Sequence, residues 1–154
     1  MQISTIKNVH RTDFAHCSIK PSNIAVGIDG NSIYFAGFGS SKPIVDNSMR
    51  QTDMVSIAKL AIFMLHRSML GKKDHFDSFI NSSIFTSNRK LCRGLPVEFS
   101  HVLNYCHELQ VHERPDYNLV RNHLRDFHLR SGFRADDFFD WKHAQPGISA
   151  KKEK

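Results

Sequence analysis

A mainly helical fold with one short β-hairpin is predicted by three features of the sequence. Residues 53–67 and 96–109 carry apolar side chains at helical spacing over several turns. Two short apolar runs, "NIAVG" and "SIYFAG", flank the tetrapeptide "IDGN". The chain has 154 residues, 40% of them hydrophobic, enough for a single domain with a real core.

Taken in order, residues 3–10 open a marginal helix in which Ile3, Ile6 and Val9 recur every third position. The Asp29-Gly30 pair then predicts a two-stranded ribbon over residues 24–36, because both central residues of a type I′ turn need positive φ. Residues 53–67, "DMVSIAKLAIFMLHR", are apolar nearly all round the helical wheel, which places that helix in the middle of the core. Residues 68–96 are rich in Ser, Asn, Lys and Gly and read as irregular, with "HFDSFI" able to carry a short helix. In residues 96–109, Phe99, Val102, Leu103, Cys106 and Leu109 form one helical face, and Pro96 sits near the first turn. A last helix spans residues 117–129, where Val120, Leu124 and Phe127 share a side. Residues 142–154 read as a polar basic tail, and residues 1–141 as one domain without internal repeat or linker.

Composition excludes several function classes. The longest apolar run, residues 57–65, is interrupted by Lys59 and falls far short of the ~20 residues of a membrane span. No apolar leader follows a basic start, so an intracellular protein, cytoplasmic or nuclear, is expected, with no membrane partner. Cys17, Cys92 and Cys106 are odd in number and far apart, encoding neither a disulfide framework nor a zinc ribbon; reduced and at least partly buried thiols are expected. Without a secretory signal, Asn81-Ser82-Ser83 is a chance match to a glycosylation acceptor. The formal charge of +6 favours acidic partners weakly. Its densest part, "RNHLRDFHLRSGFR", sets Arg121 one turn before Arg125 and Arg130 one turn before Arg134, either a solvated face or a phosphate-binding patch. The nearest histidine pairs, His107 with His112 and His123 with His128, are five apart, the wrong spacing for one helical face, and no metal is expected.

The segment "HCSIKPSN" resembles the catalytic loop of protein kinases, His-Arg-Asp-x-Lys-x-x-Asn, and "GFG" at residues 37–39 falls where kinases carry Asp-Phe-Gly. "TDMVSIAKLAIFML" is similar to the long central helix of the kinase large lobe, which opens with an aspartate, here Asp53. "LCRGLPVEFSHVLNYCHELQVHERPDYNLVRNHLRDF" with "DDFFDW" resembles the C-terminal part of casein kinase I and its relatives. The resemblance runs from about Ile3 to Trp141 and implies a protein-kinase-like large lobe. No Gly-rich loop, strand lysine or hinge fits into residues 1–13, and residues 40–52 leave little room for an activation segment.

Chemically the resemblance is depleted. Phosphoryl transfer needs metal held by an acid and an asparagine, and an acid to orient the acceptor hydroxyl. The orienting position is Ser18 and the metal-acid position is Gly37, while Asn23 and Lys20 remain as residual metal and phosphate candidates. Two neutral oxygens and a lysine suit Mg²⁺ poorly. The retained positions, His16, Pro21, Phe38, Gly39 and Asp53, are ones the resemblance assigns to packing and to bracing the loop backbone. Arg114 matches an arginine that pairs with a glutamate ending the activation segment, and no such glutamate is evident here. The plain alternatives are a surface Lys20, a turn-stabilising Asn23 and a helix-N-terminal Asp53. Ser18 and Lys20, two apart and without an oxyanion donor, do not make a nucleophile and base.

The expectation is therefore a catalytically inactive casein kinase I-like pseudokinase fragment acting, if at all, as a decoy or scaffold for a kinase or kinase regulator. No cofactor and no small-molecule substrate is expected; ATP and Mg²⁺ would enter only with residual Ser/Thr kinase activity. The alternatives are a truncated kinase gene product without independent role and a small basic nucleic-acid-binding protein.

Overall fold

The computed structural model describes residues 3–28, 32–70 and 75–132, with the side chains of residues 67–70 excepted. Six helices are described: α1 (Ile3–Arg11), α2 (Asn47–Leu70), α3 (Phe76–Ile84), α4 (Asn88–Leu91), α5 (Val97–Glu108) and α6 (Tyr117–Arg130). Two small antiparallel pairs complete the fold: β1 (Phe14–Ala15) with β4 (Lys42–Pro43), and β2 (Ile24–Val26) with β3 (Ile33–Phe35).

As its all-round apolar wheel predicts, α2 is the central element. Met54, Ile57, Ala58, Leu60, Ile62 and Phe63 are all buried on it, and α5 packs along it with Phe99, Val102, Leu103 and Cys106. Each of the Val, Leu, Ile, Phe and Met side chains among them contributes about 1.5–3 kcal/mol on leaving water. Phe127 of α6 meets Phe99 edge-on at 5.3 Å, and Val120 is fully covered, which closes the far side of α5. On the other flank, Phe63 contacts Phe76 and Phe79 of α3 at 5.1 and 5.4 Å.

The hairpin forms where expected. Its register pairs Ile24 with Phe35, Ala25 with Tyr34 and Val26 with Ile33, and so is centred on Asp29-Gly30. The expected type I′ turn lies outside the described residues, as do Arg134, the "DDFFDW" landmark and the tail.

Three expectations need correction. α2 begins at Asn47 rather than Asp53. Asp46 precedes it and accepts from the Ser48 amide at 2.8 Å and from the Ser48 hydroxyl, supplying the N-terminal start. The added turns are polar and carry no apolar stripe. Tertiary bonds hold them: Gln51 Nε2 donates to the His107 and Leu109 carbonyls at 3.0 and 2.9 Å, and Arg50 reaches Asn47 and Asp13.

Residues 68–96 are not mainly irregular. α3 runs past "HFDSFI" to Ile84, and α4 follows, with Leu91 and Cys92 buried and Asn88 bonded to Asn104 of α5 at 2.8 Å. A four-residue helix is too short to show periodicity, so packing decides it. Cys92 and Cys106 are buried as expected, but Cys17 is exposed. β1 and β4 are two residues each and escape pattern reading for the same reason. α6 starts at the predicted Tyr117 because Asp116 caps it, accepting from the Asn118 and Leu119 amides at 2.9 and 3.0 Å. Among the described residues no helix is long and apolar enough to cross a membrane.

Candidate functional site

β1 feeds the chain into the loop 16–23, and one buried carboxylate shapes the entrance. Asp53 lies six residues inside α2, not at its opening, and is 1% exposed. Its Oδ2 accepts from the His16 amide at 2.6 Å and from His10 Nε2 at 3.0 Å; its Oδ1 accepts from the Cys17 amide at 2.9 Å. Three donors satisfy a carboxylate that would otherwise be costly to bury. They also hold Cys17 in the left-handed region at φ 58°, a conformation that a side chain visits at a cost of about 1–3 kcal/mol. The helix-N-terminal reading of Asp53 is therefore wrong: α2 presents it sideways, as a brace for the loop backbone.

Behind Asp53 stands a second shared bond. His10 is 3% exposed and its Nδ1 meets the Tyr117 hydroxyl at 2.6 Å, so α1, α2 and α6 join through His10. A carboxylate only accepts, so Nε2 carries a hydrogen and donates to Asp53. Burial pushes the Tyr117 phenol up to about 12. Sequence reading missed both residues, although a signal existed. His10 continues the Ile3 and Ile6 stripe at a spacing of four, and a histidine on a core face needs a partner.

His16 is completely buried. Its Nε2 donates to the Ala36 carbonyl at 2.9 Å, its Nδ1 accepts from the Ser18 amide at 3.3 Å, and its ring lies 4.7 Å from that of Phe38 and 5.6 Å from that of Phe35. Pro21 opens a short 3-10 turn, Pro21–Asn23, and Phe38 and Gly39 lie in a second such turn, Phe38–Ser40. Of the retained positions, His16, Phe38 and Asp53 are brought together; Phe38 remains 47% exposed on its outer side.

The chemical edge of the loop is closed by neutral bonds. Asn23 Nδ2 donates to the Ser18 carbonyl at 2.7 Å and to Ser18 Oγ at 3.0 Å. Gly37 is left-handed at φ 77°, and a Cβ built on it would fall 2.5 Å from Asn23 Oδ1 and Cγ. In this backbone conformation an acid at position 37 and the Asn23 amide compete for the same space. The residues present do not fit an Mg²⁺–nucleotide site: Gly37 offers no donor atom and Ser18 only a neutral hydroxyl, so the Asn23 amide oxygen would stand as a ligand without a carboxylate beside it. Lys20 is exposed, with no ion pair among the described residues. Ser18 and Lys20 are not brought into a nucleophile–base arrangement.

Other sequence candidates disperse. Arg114 is exposed, near enough to Tyr117 to favour its phenolate, with no glutamate paired to it among the described residues. On the arginine helix, Arg130 pairs with the buried Glu98 of α5, and Arg121 donates to Asn118 at 3.1 Å. His123 faces His101 across α5 and α6 at 5.8 Å. Among the described residues no three His, Cys, Asp or Glu side chains gather as metal ligands. Burial and Asp53 push the Cys17 thiol up, disfavouring its thiolate.

Beside the loop, along α1, Val9, Phe14 and Phe38 line an open, largely apolar cleft of about 480 Å³ that also touches Thr5, Thr12 and Ser41. Phe14 is 45% exposed there. No family model matches this chain.

Proposed function

We propose that the chain is a catalytically inert, protein-kinase-like large lobe of the casein kinase I-like type that works by binding another protein. The closed edge of the loop carries this reading. Where phosphoryl transfer would need two acids and a metal, Ser18 and Asn23 bond each other, and the Asn23 side chain occupies the space that a Cβ on Gly37 would need. The brace from Asp53 to the His16 and Cys17 amides, together with the His16–Phe38 ring contact, supports a role for these residues in holding shape. The half-exposed Phe14 and Phe38 beside an apolar cleft support an unmet binding surface. A kinase or a kinase regulator is the partner that the resemblance favours. The nucleic-acid alternative loses ground because Arg130, in the middle of the basic run, is neutralised by Glu98.

Incubation with γ-labelled ATP, Mg²⁺ and an acidic protein substrate tests the inert half of this reading. No transfer above blank and no Mg²⁺–ATP shift of Tm are expected. Transfer that disappears in Lys20→Met would overturn it.

A further inference from the structure

Away from the loop, a second face joins exposed apolar side chains to unpaired positive charge. Phe85, at the C-terminal end of α3, is 93% exposed, and Ile84 is 66% exposed. Arg89 and Lys90 follow on α4 and Arg93 just after it, all three exposed and none in an ion pair among the described residues. Residues 78–97 contain no Asp or Glu. The acids flanking this stretch are Asp77, at the opposite end of α3 and about 12 Å from Phe85 along the axis, and Glu98, which is buried and paired with Arg130. Between α2, α3 and α4 lies a cleft of about 380 Å³ whose floor is Phe79 and Leu91 and whose rim includes Ser82, Thr86 and Lys90. Thr86 and Lys90 line the cleft, and Phe85 and Arg89 directly precede them in sequence.

We infer that this face docks an acidic segment of a partner protein that carries a large apolar side chain among its carboxylates. Phe85 and the cleft floor would cover the apolar side chain, while Arg89, Lys90 and Arg93 would meet the acids. Charge complementarity selects this occupant: a second copy of the same face would bring like charges together. Aromatic residues and arginine are also the residue types enriched at protein interfaces. The inference rests on the protein-binding function proposed above and names its chemistry.

Fluorescence polarisation with a labelled Glu-Asp-Phe-Glu-Asp-Leu-Glu peptide is the test, run with the whole chain. Binding is expected, weakened about tenfold or more by Phe85→Ser and by the Arg89→Glu/Lys90→Glu pair. The charge reversal Arg121→Glu on α6 should leave it unchanged. Peptides with the acids or the apolar residues changed to serine should bind at least tenfold more weakly. Phe85→Ser removes an exposed ring, so its melt should match that of the parent, and a lost melt would be read instead from the Arg89→Glu/Lys90→Glu pair. Indifference of affinity to both variants would overturn the assignment. So would tighter binding to phosphatidylserine vesicles or to polyuridylate than to the peptide. A chain that transfers no phosphate yet ignores the peptide would overturn this face alone; a chain that transfers phosphate would overturn the inert function while leaving peptide affinity measurable.

Discussion

The inner and outer sides of the loop 16–23 are held by opposite means. On the inner side a buried charge, Asp53, gathers three donors from His10, His16 and Cys17. On the outer side Ser18, Asn23 and Gly37 meet only through neutral bonds and close contact. The difference teaches that loop shape and loop chemistry are separable. A buried carboxylate can sustain a strained backbone without any catalytic group at the surface, because the bonds that set φ and ψ come from behind.

Breaking the inner side should have the largest effect. Asp53→Ala leaves two amides and His10 Nε2 without their acceptor in a largely buried site, and a loss of about 3–5 kcal/mol is expected in denaturant unfolding. If Asp53→Ala cost under 1 kcal/mol, the brace would not control the loop. Next comes Gly37→Asp, which restores an acid in a left-handed position against Asn23 and should cost about 2–3 kcal/mol. Adding Asn23→Ala should recover part of that loss, a coupling of at least about 1 kcal/mol in a double-mutant cycle. Simple additivity would show that the two side chains do not compete.

Tyr117→Phe removes one hydroxyl from His10 and should cost about 1 kcal/mol near neutral pH. It should also change the alkaline limb. The phenol is pushed from 10.0 to about 12 in the folded chain, so between those values the folded state holds a proton that the unfolded chain has released. Stability is therefore full below pH 10 and falls as pH rises through about 12; Tyr117→Phe should flatten that part of the curve. The buried thiols of Cys92 and Cys106, pushed up to about 11 and about 12, add a decline that begins nearer pH 9.0 and that the variant should retain. Smallest of all is Ser18→Asp. At the outer edge it should move stability by about 0.5 kcal/mol or less and produce no phosphate transfer, because position 37 stays empty of acid.

Periodicity and turn chemistry were strong where an element is long or its turn is marked. The apolar wheel of residues 53–67, the stripe from Phe99 to Leu109 and the Asp29-Gly30 pair each point to one local structure, and α2, α5 and the hairpin register agree with them. The polar first turns of α2 and the short α4 were illegible, since Gln51 and Asn88 secure them through partners more than a dozen residues away. At the candidate site the neutral side chain at position 18 and the absence of one at position 37 could be read directly from the sequence. The steric conflict between Gly37 and Asn23 could not be, because it depends on where two turns meet.

By itself the sequence determined that the chain is mainly helical with one ribbon and that positions 18 and 37 carry no acid, because composition and spacing carry that information locally. Only the tertiary structure decided that Asp53 supports the loop from inside α2, that His10 and Tyr117 stand behind it, and that Glu98 takes Arg130 out of the basic run. Those outcomes depend on bonds between residues dozens of positions apart, for which no local pattern exists. A buried carboxylate looks like any other aspartate until the donors around it are known.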